Sequence, residues 1–401
     1  MRAIEPPKLA YLSQVNPEPR SSAAGVRAEC IIEVFRGAGW SVQFLGPELA
    51  QPNDSRFDRL ISEISPDVVL FDRFYIEEQF GWRVELACPG ALRVLDTVDL
   101  HGLRHAREKH AKSAKSGTPG PLIIDEVGLR ELASILRSDL ALVISSFELD
   151  LLHRDYGVPS AQVELCRLLH SDTPAPRREA GGSEGFAWIG NFRHPPNLDS
   201  FLWLHQELWP ALRSRLPGAT LHAYGAYPTR EVMALDDREL GFRVHGPAGD
   251  VTEAMARHRV NLAPLRFGAG IKGKIVDGWR SGLPVVTTPV GAEGLGFAPS
   301  RPWGGLVANT ASEFVEAAVV LYENDELRQQ TGCEGFRLAG ELFDRNREGT
   351  RLLSKIAELR GDLEGVRARN VLGRTLKLQS HRSTEYFSRW IELKNRAPSG
   401  S

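Results

Sequence analysis

The chain has 401 residues, 42% of them hydrophobic and 25% charged, with a formal net charge of −2. That composition belongs to a folded polypeptide large enough for two domains of ordinary size. Near-neutral charge excludes an overall attraction to nucleic acid or anionic lipid, so any such contact needs a local patch.

Met1 to Lys8 lacks an apolar core segment, so no secretory leader is expected there. No run reaches the roughly 18 apolar residues of a membrane span. Cys30, Cys88, Cys166 and Cys333 lie far apart and form neither a Cys-x-x-Cys pair nor a zinc spacing. They read as reduced thiols of a cytoplasmic protein.

Short apolar runs alternate with helical patterns, which argues for βα units and parallel sheets. In the first half the predicted strands are Leu9–Ser13, Val42–Gly46, Val68–Asp72, Leu92–Asp96 and Leu140–Ser145. In the second half they are Phe186–Gly190, Thr220–Gly225, Arg243–Gly246, Val260–Pro264, Val285–Thr288 and Gly305–Ala308. Between the halves, Ser171–Gly185 is rich in Pro, Gly, Ser and charge and reads as a linker. Expected domains are 1–172 and 183–345, followed by C-terminal helices over 346–401.

In that last stretch Leu352, Ile356, Leu359, Leu363 and Val366 recur as a helical apolar seam. The seam either packs on its own domain or forms a homodimer contact. A final helix near Thr384–Lys394 carries Tyr386, Trp390 and Leu393 on one face, and is expected to dock. Earlier, Arg104 to Lys115 holds five Lys/Arg and two His. It reads as a solvated helix face, or as a contact for an anionic acceptor, an acidic lipid surface or RNA. The aromatics of Phe71-Asp72-Arg73-Phe74-Tyr75 either pack or stack on a sugar.

The segment richest in chemistry runs from Pro264 to Asp277, with Gly268, Gly270 and Gly273 following a predicted strand and opening a helical pattern. Small residues let the backbone approach a ligand, and a helix N-terminus favours anions. Arg266, Lys272 and Lys274 bracket the turn, so the whole suits a diphosphate. A helix then stops at Gly282, a β-rich run follows, and the loop Gly291-Ala292-Glu293-Gly294 adds a carboxylate. It should emerge at the carboxyl end of its strand, where open α/β sheets bind ligands.

Gly270 to Gly294 resembles the C-terminal domain of family 4 glycosyltransferases, in the branch that reads Gly-x-Gly-Ile-Lys-x-Lys. Ser21 to Arg27, including Gly25, is similar to that family's small-residue loop, and Gly37 to Val42 to its Gly-His-x-Val pattern. Gly190-Asn191-Phe192, Gly225 and Val244-His245-Gly246 match later strand ends. The resemblance implies the GT-B fold: α/β, two Rossmann-like domains facing each other across a cleft, here with a C-terminal helical tail. It implies a retaining enzyme whose donor is a nucleoside-diphosphate sugar.

Position by position, the resemblance makes Arg266, Lys272 and Lys274 neutralise the diphosphate while Gly270 and Ile271 hold its oxygens. Asp277 stands where the family's second glutamate binds ribose, and Ala269 where the first glutamate stands. Glu293 is the candidate replacement for that lost carboxylate. The family's Arg and Lys after the first strand of this domain are absent, leaving Asn191 and Arg193 nearby. His245 and Gly246 would lie against the base. At the strand end Leu95 to His101, Asp99 is the leading candidate for the group beside the anomeric carbon, ahead of His101 and Asp96. A helix N-cap is the competing role for Asp99.

No Asp-x-Asp motif stands out, so cations are expected to do a metal's work, with no metal and no cofactor. The expected partners are the sugar nucleotide and an unidentified acceptor, a cell-surface glycan or similar, with peripheral contact at the inner membrane face left open and nucleic acid disfavoured. Two alternatives stay open: a degenerate GT-B protein that binds a nucleotide or partner without catalysis, and a sugar-nucleotide epimerase or phosphorylase. A dinucleotide-binding dehydrogenase is disfavoured, because no Gly-x-Gly-x-x-Gly follows the first strand.

Overall fold

A computed structural model describes residues 5–14, 23–113, 124–170 and 184–396. Ser21, Ser22 and most of the predicted linker at Ser171–Gly185 lie outside those residues. The chain divides into two compact units. Among described residues, the first takes those up to Leu103, 124–169 and those from Arg345 onward; the second takes 104–113, His170 and 184–344.

The first unit contains β1 (Lys8–Leu12), β2 (Ser41–Leu45), β3 (Val68–Asp72), β4 (Leu92–Asp96), β5 (Leu140–Val143) and β6 (Val163–Leu165). Their order is β2-β1-β3-β4-β5-β6, with every pairing parallel. Every residue of β3, β4 and β5 is buried, as expected of strands covered on both faces. The short β6, with Glu164 at its centre, has no apolar run and was not anticipated. The second unit contains β7 (Phe186–Ile189), β8 (Leu221–Tyr224), β9 (Phe242–Gly246), β10 (Val260–Ala263), β11 (Val285–Thr287) and β12 (Gly305–Val307). They run parallel in the order β12-β11-β10-β7-β8-β9. No described helix is long and apolar enough to cross a membrane.

The C-terminal helices belong to the first unit. Leu352, Ile356 and Leu359 of the helix Arg345–Gly361 join Leu9, Tyr11, Ile31, Phe35 and Val68 in its core. Leu363 and Val366 flank that core, half-buried. The apolar seam therefore packs on its own unit.

The tail helix is longer than predicted, Val371–Arg396, and it docks by another face. Tyr386, Trp390 and Leu393, expected to be buried, are 68%, 56% and 66% exposed. Polar anchors explain the orientation. Arg83, 1% exposed, donates to Ser388 Oγ at 3.0 Å and pairs with Glu392, while His381 Nδ1 lies 3.0 Å from Glu85. Satisfying a buried guanidinium sets the face of the helix more firmly than covering aromatic area does.

A second buried pair ties the amino-terminal helix Ala23–Gly37 to the sheet. Arg27 grips both carboxylate oxygens of Asp96 and donates to the carbonyls of Cys166 and Arg167. The Arg27 and Asp96 side chains are 1% and 0% exposed. Arg27→Ala strands a buried carboxylate and should lower stability by about 3–5 kcal/mol. Urea unfolding checks this; a loss under about 1 kcal/mol, the worth of a surface pair, would mean that Asp96 finds another partner.

Candidate functional site

The second sheet has the strand order of a Rossmann half-barrel opened flat, and its winding reverses between β7 and β10. At that reversal the two following loops leave in opposite directions and a crevice opens at the carboxyl edge. The loops concerned are those after β7 (Gly190 to His194) and after β10 (Pro264 to Lys272).

The first loop is packed backbone against backbone. A Cβ on Gly225, just past β8, would stand 2.2 Å from the carbonyl oxygen of Gly190 and 2.5 Å from the Phe192 ring. Only glycine lets β7 and β8 end this close together. Asn197 Nδ2 donates to Asn191 O at 3.0 Å, and Asn191 Oδ1 accepts the Arg193 amide at 2.9 Å. The helix Pro195–Trp203 then begins with prolines in its first turn, where a missing N–H costs nothing.

The second loop is held from three sides. Thr287 Oγ1 donates to Ala263 O at 2.7 Å, and Thr288 Oγ1 donates to Leu265 O. Buried Asn261 donates to Lys274 O at 2.9 Å, pinning the first turn of the helix Gly273–Arg280. Arg107, 4% exposed, donates to Gly268 O at 2.8 Å and grips Glu293 through two bonds of 2.7 Å. Gly270 turns the chain at φ 65°, a conformation that disfavours side chains. The helix that follows has no side-chain cap on its first amides.

Into this corner the loop delivers two buried ammonium groups. Lys272 Nζ donates to Gly270 O at 2.6 Å. Lys274 Nζ donates to Asn197 Oδ1 at 2.6 Å and lies 5.0 Å from the centre of the Trp188 ring. Lys274 thus joins the β10 loop to the β7 loop across the reversal. Burial, and then the neighbouring charge of Lys272, lower the Lys274 pKa to about 7. Lys274 makes no ion pair among the described residues. A cation buried without a counter-charge is an anion site in waiting.

The other expected residues are distributed differently. Arg266 is half-exposed and held by Asp199 of the helix Pro195–Trp203, 2.9 Å at Nε, so it stands apart from the lysine pair. The Asp277 carbonyl accepts Ser281 Oγ at 2.8 Å, and burial pushes the pKa of its carboxyl up to about 6 against the pull of Arg280. Ile271 is buried. Glu293, the candidate substitute for a carboxylate at Ala269, is committed to Arg107. Arg193 stacks on Tyr227 with its guanidinium 3.8 Å from the ring centre. His245 stacks on His222 and Tyr224, and Gly246 O accepts the Gly225 amide at 2.7 Å. Burial and the charges of His258 and His245 lower the His222 pKa to about 4.

The first unit holds the remaining candidates at the carboxyl edge of β4. Asp96 is consumed by Arg27. Asp99 Oδ1 lies 3.4 Å from His101 Nε2. The Leu100 amide is taken by Glu148 and the amides of His101 and Gly102 by Glu131, each at 2.9 Å. Burial raises the Glu131 pKa to about 8 in spite of those two amides. Val98 sits at φ 63°, an outlier for a β-branched residue, of the kind that gathers at functional sites. Gly25 lies in the first turns of the helix Ala23–Gly37. Phe71 and Phe74 are buried and pack, so of that aromatic group only Tyr75 stays half-exposed, beside His101.

Sequence reasoning missed Asn197, Trp188 and Arg107. Arg107 belongs to a basic run that reads as a solvated face, yet Leu103, Ala106 and Arg107 are all buried. Its spacing from two buried apolar neighbours was the available signal.

Residues 183–324 match the family described as Glycosyl transferases group 1. No curated protein sequence matches the chain. Sucrose-phosphate synthase from Thermosynechococcus elongatus superposes with a TM-score of 0.68 at 14% identity, over 88% of this chain and 99% of its own. Anabaena HepE in complex with UDP and glucose does so at 0.60 and 13%, over 88% and 100%. The pneumococcal O-GlcNAc transferase GtfA in complex with UDP and GlcNAc does so at 0.57 and 15%, over 77% of this chain and 60% of GtfA. These likenesses show the GT-B fold. The family match lies over most of the second unit.

Proposed function

We propose that the chain transfers a sugar from a nucleoside-diphosphate sugar, with retention at the anomeric carbon and without a metal. The observation that carries this reading is Lys274, buried beside Lys272 at the reversal point of a Rossmann sheet and joined to no carboxylate. Glycosyl transfer expels a nucleoside diphosphate, and negative charge grows on its oxygens in the transition state. Two preorganised ammonium groups in a dry corner stabilise that charge where it develops, as a metal would. Asp277 then faces ribose and the β9 end (His245 and Gly246) the base. Uridine diphosphate is the first nucleotide to try, since HepE and GtfA are complexes with UDP. On the resemblance to family 4, Asp99 positions the acceptor or the reacting sugar, and the strained Val98 beside it supports that assignment. The acceptor is a hydroxyl-bearing glycan or metabolite.

A thermal-shift series of nucleoside diphosphates in EDTA tests the donor reading. One of them should raise the melting temperature by mass action. No shift from any of them at millimolar concentration would sink the donor assignment, and a shift that needs added Mg²⁺ or Mn²⁺ would overturn the metal-free scheme.

Lys274→Ala should reduce kcat by about 10²–10³, the usual loss for one transition-state donor, while the fold melts normally. The same lysine gives the pH dependence a sign. Its charged form binds the diphosphate and its free-state pKa is about 7. Affinity for a nucleotide sugar should therefore fall as pH rises above 7, and Lys274→Ala should flatten that slope. An equal slope in the variant would assign it elsewhere.

Asp99→Asn should lower kcat while leaving donor affinity near that of the parent. An unchanged kcat would return Asp99 to a capping role.

A further inference from the structure

The first unit contains a second cation-rich place, which takes no part in the reading above. A cavity of about 170 Å³ is lined by Arg93, Arg367, Arg374 and Lys377 against two carboxylates, Glu85 and Asp139. Arg93 is the second residue of β4, and Asp139 immediately precedes β5. The cavity therefore lies at the amino edge of the sheet, the opposite end of β4 from Asp99. Arg367, Arg374 and Lys377 come from the helices Leu363–Arg369 and Val371–Arg396.

Its charges are unevenly matched. Arg367 and Asp139 satisfy each other through bonds of 2.9 and 2.7 Å, and Arg367 also holds the carbonyls of Pro89 and Ala91. Glu85 is left to serve three groups, being 3.0 Å from His381, 3.3 Å from Arg93 and 3.9 Å from Lys377. Arg93 is 5% exposed; its Nε lies 3.5 Å from Asp139, and its Nη1 meets Glu85 at 3.3 Å as an ion pair without hydrogen-bond geometry. Lys377 is 11% exposed, and 3.9 Å is too long for a hydrogen bond to its nearest carboxylate. Burial and Arg93 lower its pKa to about 8. Arg374 is exposed at the rim. Two largely buried cations thus face one cavity, meeting its carboxylates only through long contacts of 3.3–3.9 Å, beside a third cation open to solvent.

We infer that this cavity is a binding site for a tetrahedral oxyanion of the phosphate class, free or as the terminus of a small phosphomonoester. A guanidinium and an ammonium on converging walls are the donors that bind such an anion. The anion would give Arg93 Nη1 and Lys377 Nζ acceptors at hydrogen-bond distance in place of their long contacts to Glu85, and would bridge β4 to the tail helix. Its site is separate from the lysine pair of the second unit.

The test is calorimetric titration of the full chain with inorganic phosphate and with glycerol 3-phosphate, at constant ionic strength. Lys274→Ala serves as the parent, so that anions drawn to the second unit do not enter. Saturable binding is expected. Lys377→Gln should weaken it about tenfold or more, the worth of one charge-assisted bond. Arg374→Gln, at an exposed position where folding is not at risk, should weaken it severalfold. A preference for glycerol 3-phosphate would identify the phosphomonoester as the source, and equal or tighter binding of inorganic phosphate the free ion. Absence of saturable binding, or binding unchanged in both glutamine variants, would overturn the inference.

Discussion

A parallel strand has to be covered on both faces, and each crossover has to return to the same edge before the next strand begins. The order of the strands then decides where the covering helices part. In the second unit that point lies between β7 and β10, and every feature of the donor corner hangs on it. Gly190 and Gly225 let two strand ends close up. Asn261, Thr287 and Thr288 hold the neighbouring loop by its own carbonyls. What remains between the two loops is a corner too tight for large side chains, into which Lys274 reaches over Trp188.

The chain treats buried charge in two ways, and the contrast separates architecture from chemistry. Arg27 and Asp96 meet with every donor and acceptor matched, and they lock a helix to a sheet. Arg107 and Glu293 do the same for the glycine loop. Lys272 and Lys274 lie close enough to repel each other, and Lys274 has its desolvation offset by the neutral oxygen of Asn197. The folded state tolerates that pair because the surrounding loop is over-determined. Under the proposed function, an arriving diphosphate would relieve the repulsion and concentrate binding energy on the bond that breaks.

Much of this was legible in the sequence. Apolar runs located eleven of the twelve strands to within a residue or two, because strands covered on both faces leave an unmistakable signature. The glycines and lysines of 268–274 read as an anion corner through their spacing. Partnerships were not legible. Glu293 reads as a sugar contact, and its guanidinium partner lies 186 residues away. Arg266 reads as part of a cationic cluster, and Asp199 pairs with it. The tail helix reads as docking, and its anchor depends on Arg83, three hundred residues earlier. Pairings at such separations leave no local pattern in one sequence.

The first unit is stitched from distant stretches of chain, since the helix carrying Leu352, Ile356 and Leu359 completes a core begun by Leu9 and Ile31. At roughly 5–20 residues per second a ribosome delivers those stretches tens of seconds apart, with nearly all of the second unit emerging in between. The second unit can close as soon as it is made. The first has to wait, with Arg83 and the face of Ile31 and Phe35 uncovered, until the last helices arrive. Vectorial synthesis therefore makes the half that starts first the half that finishes last, and leaves its open core as the surface a chaperone would meet.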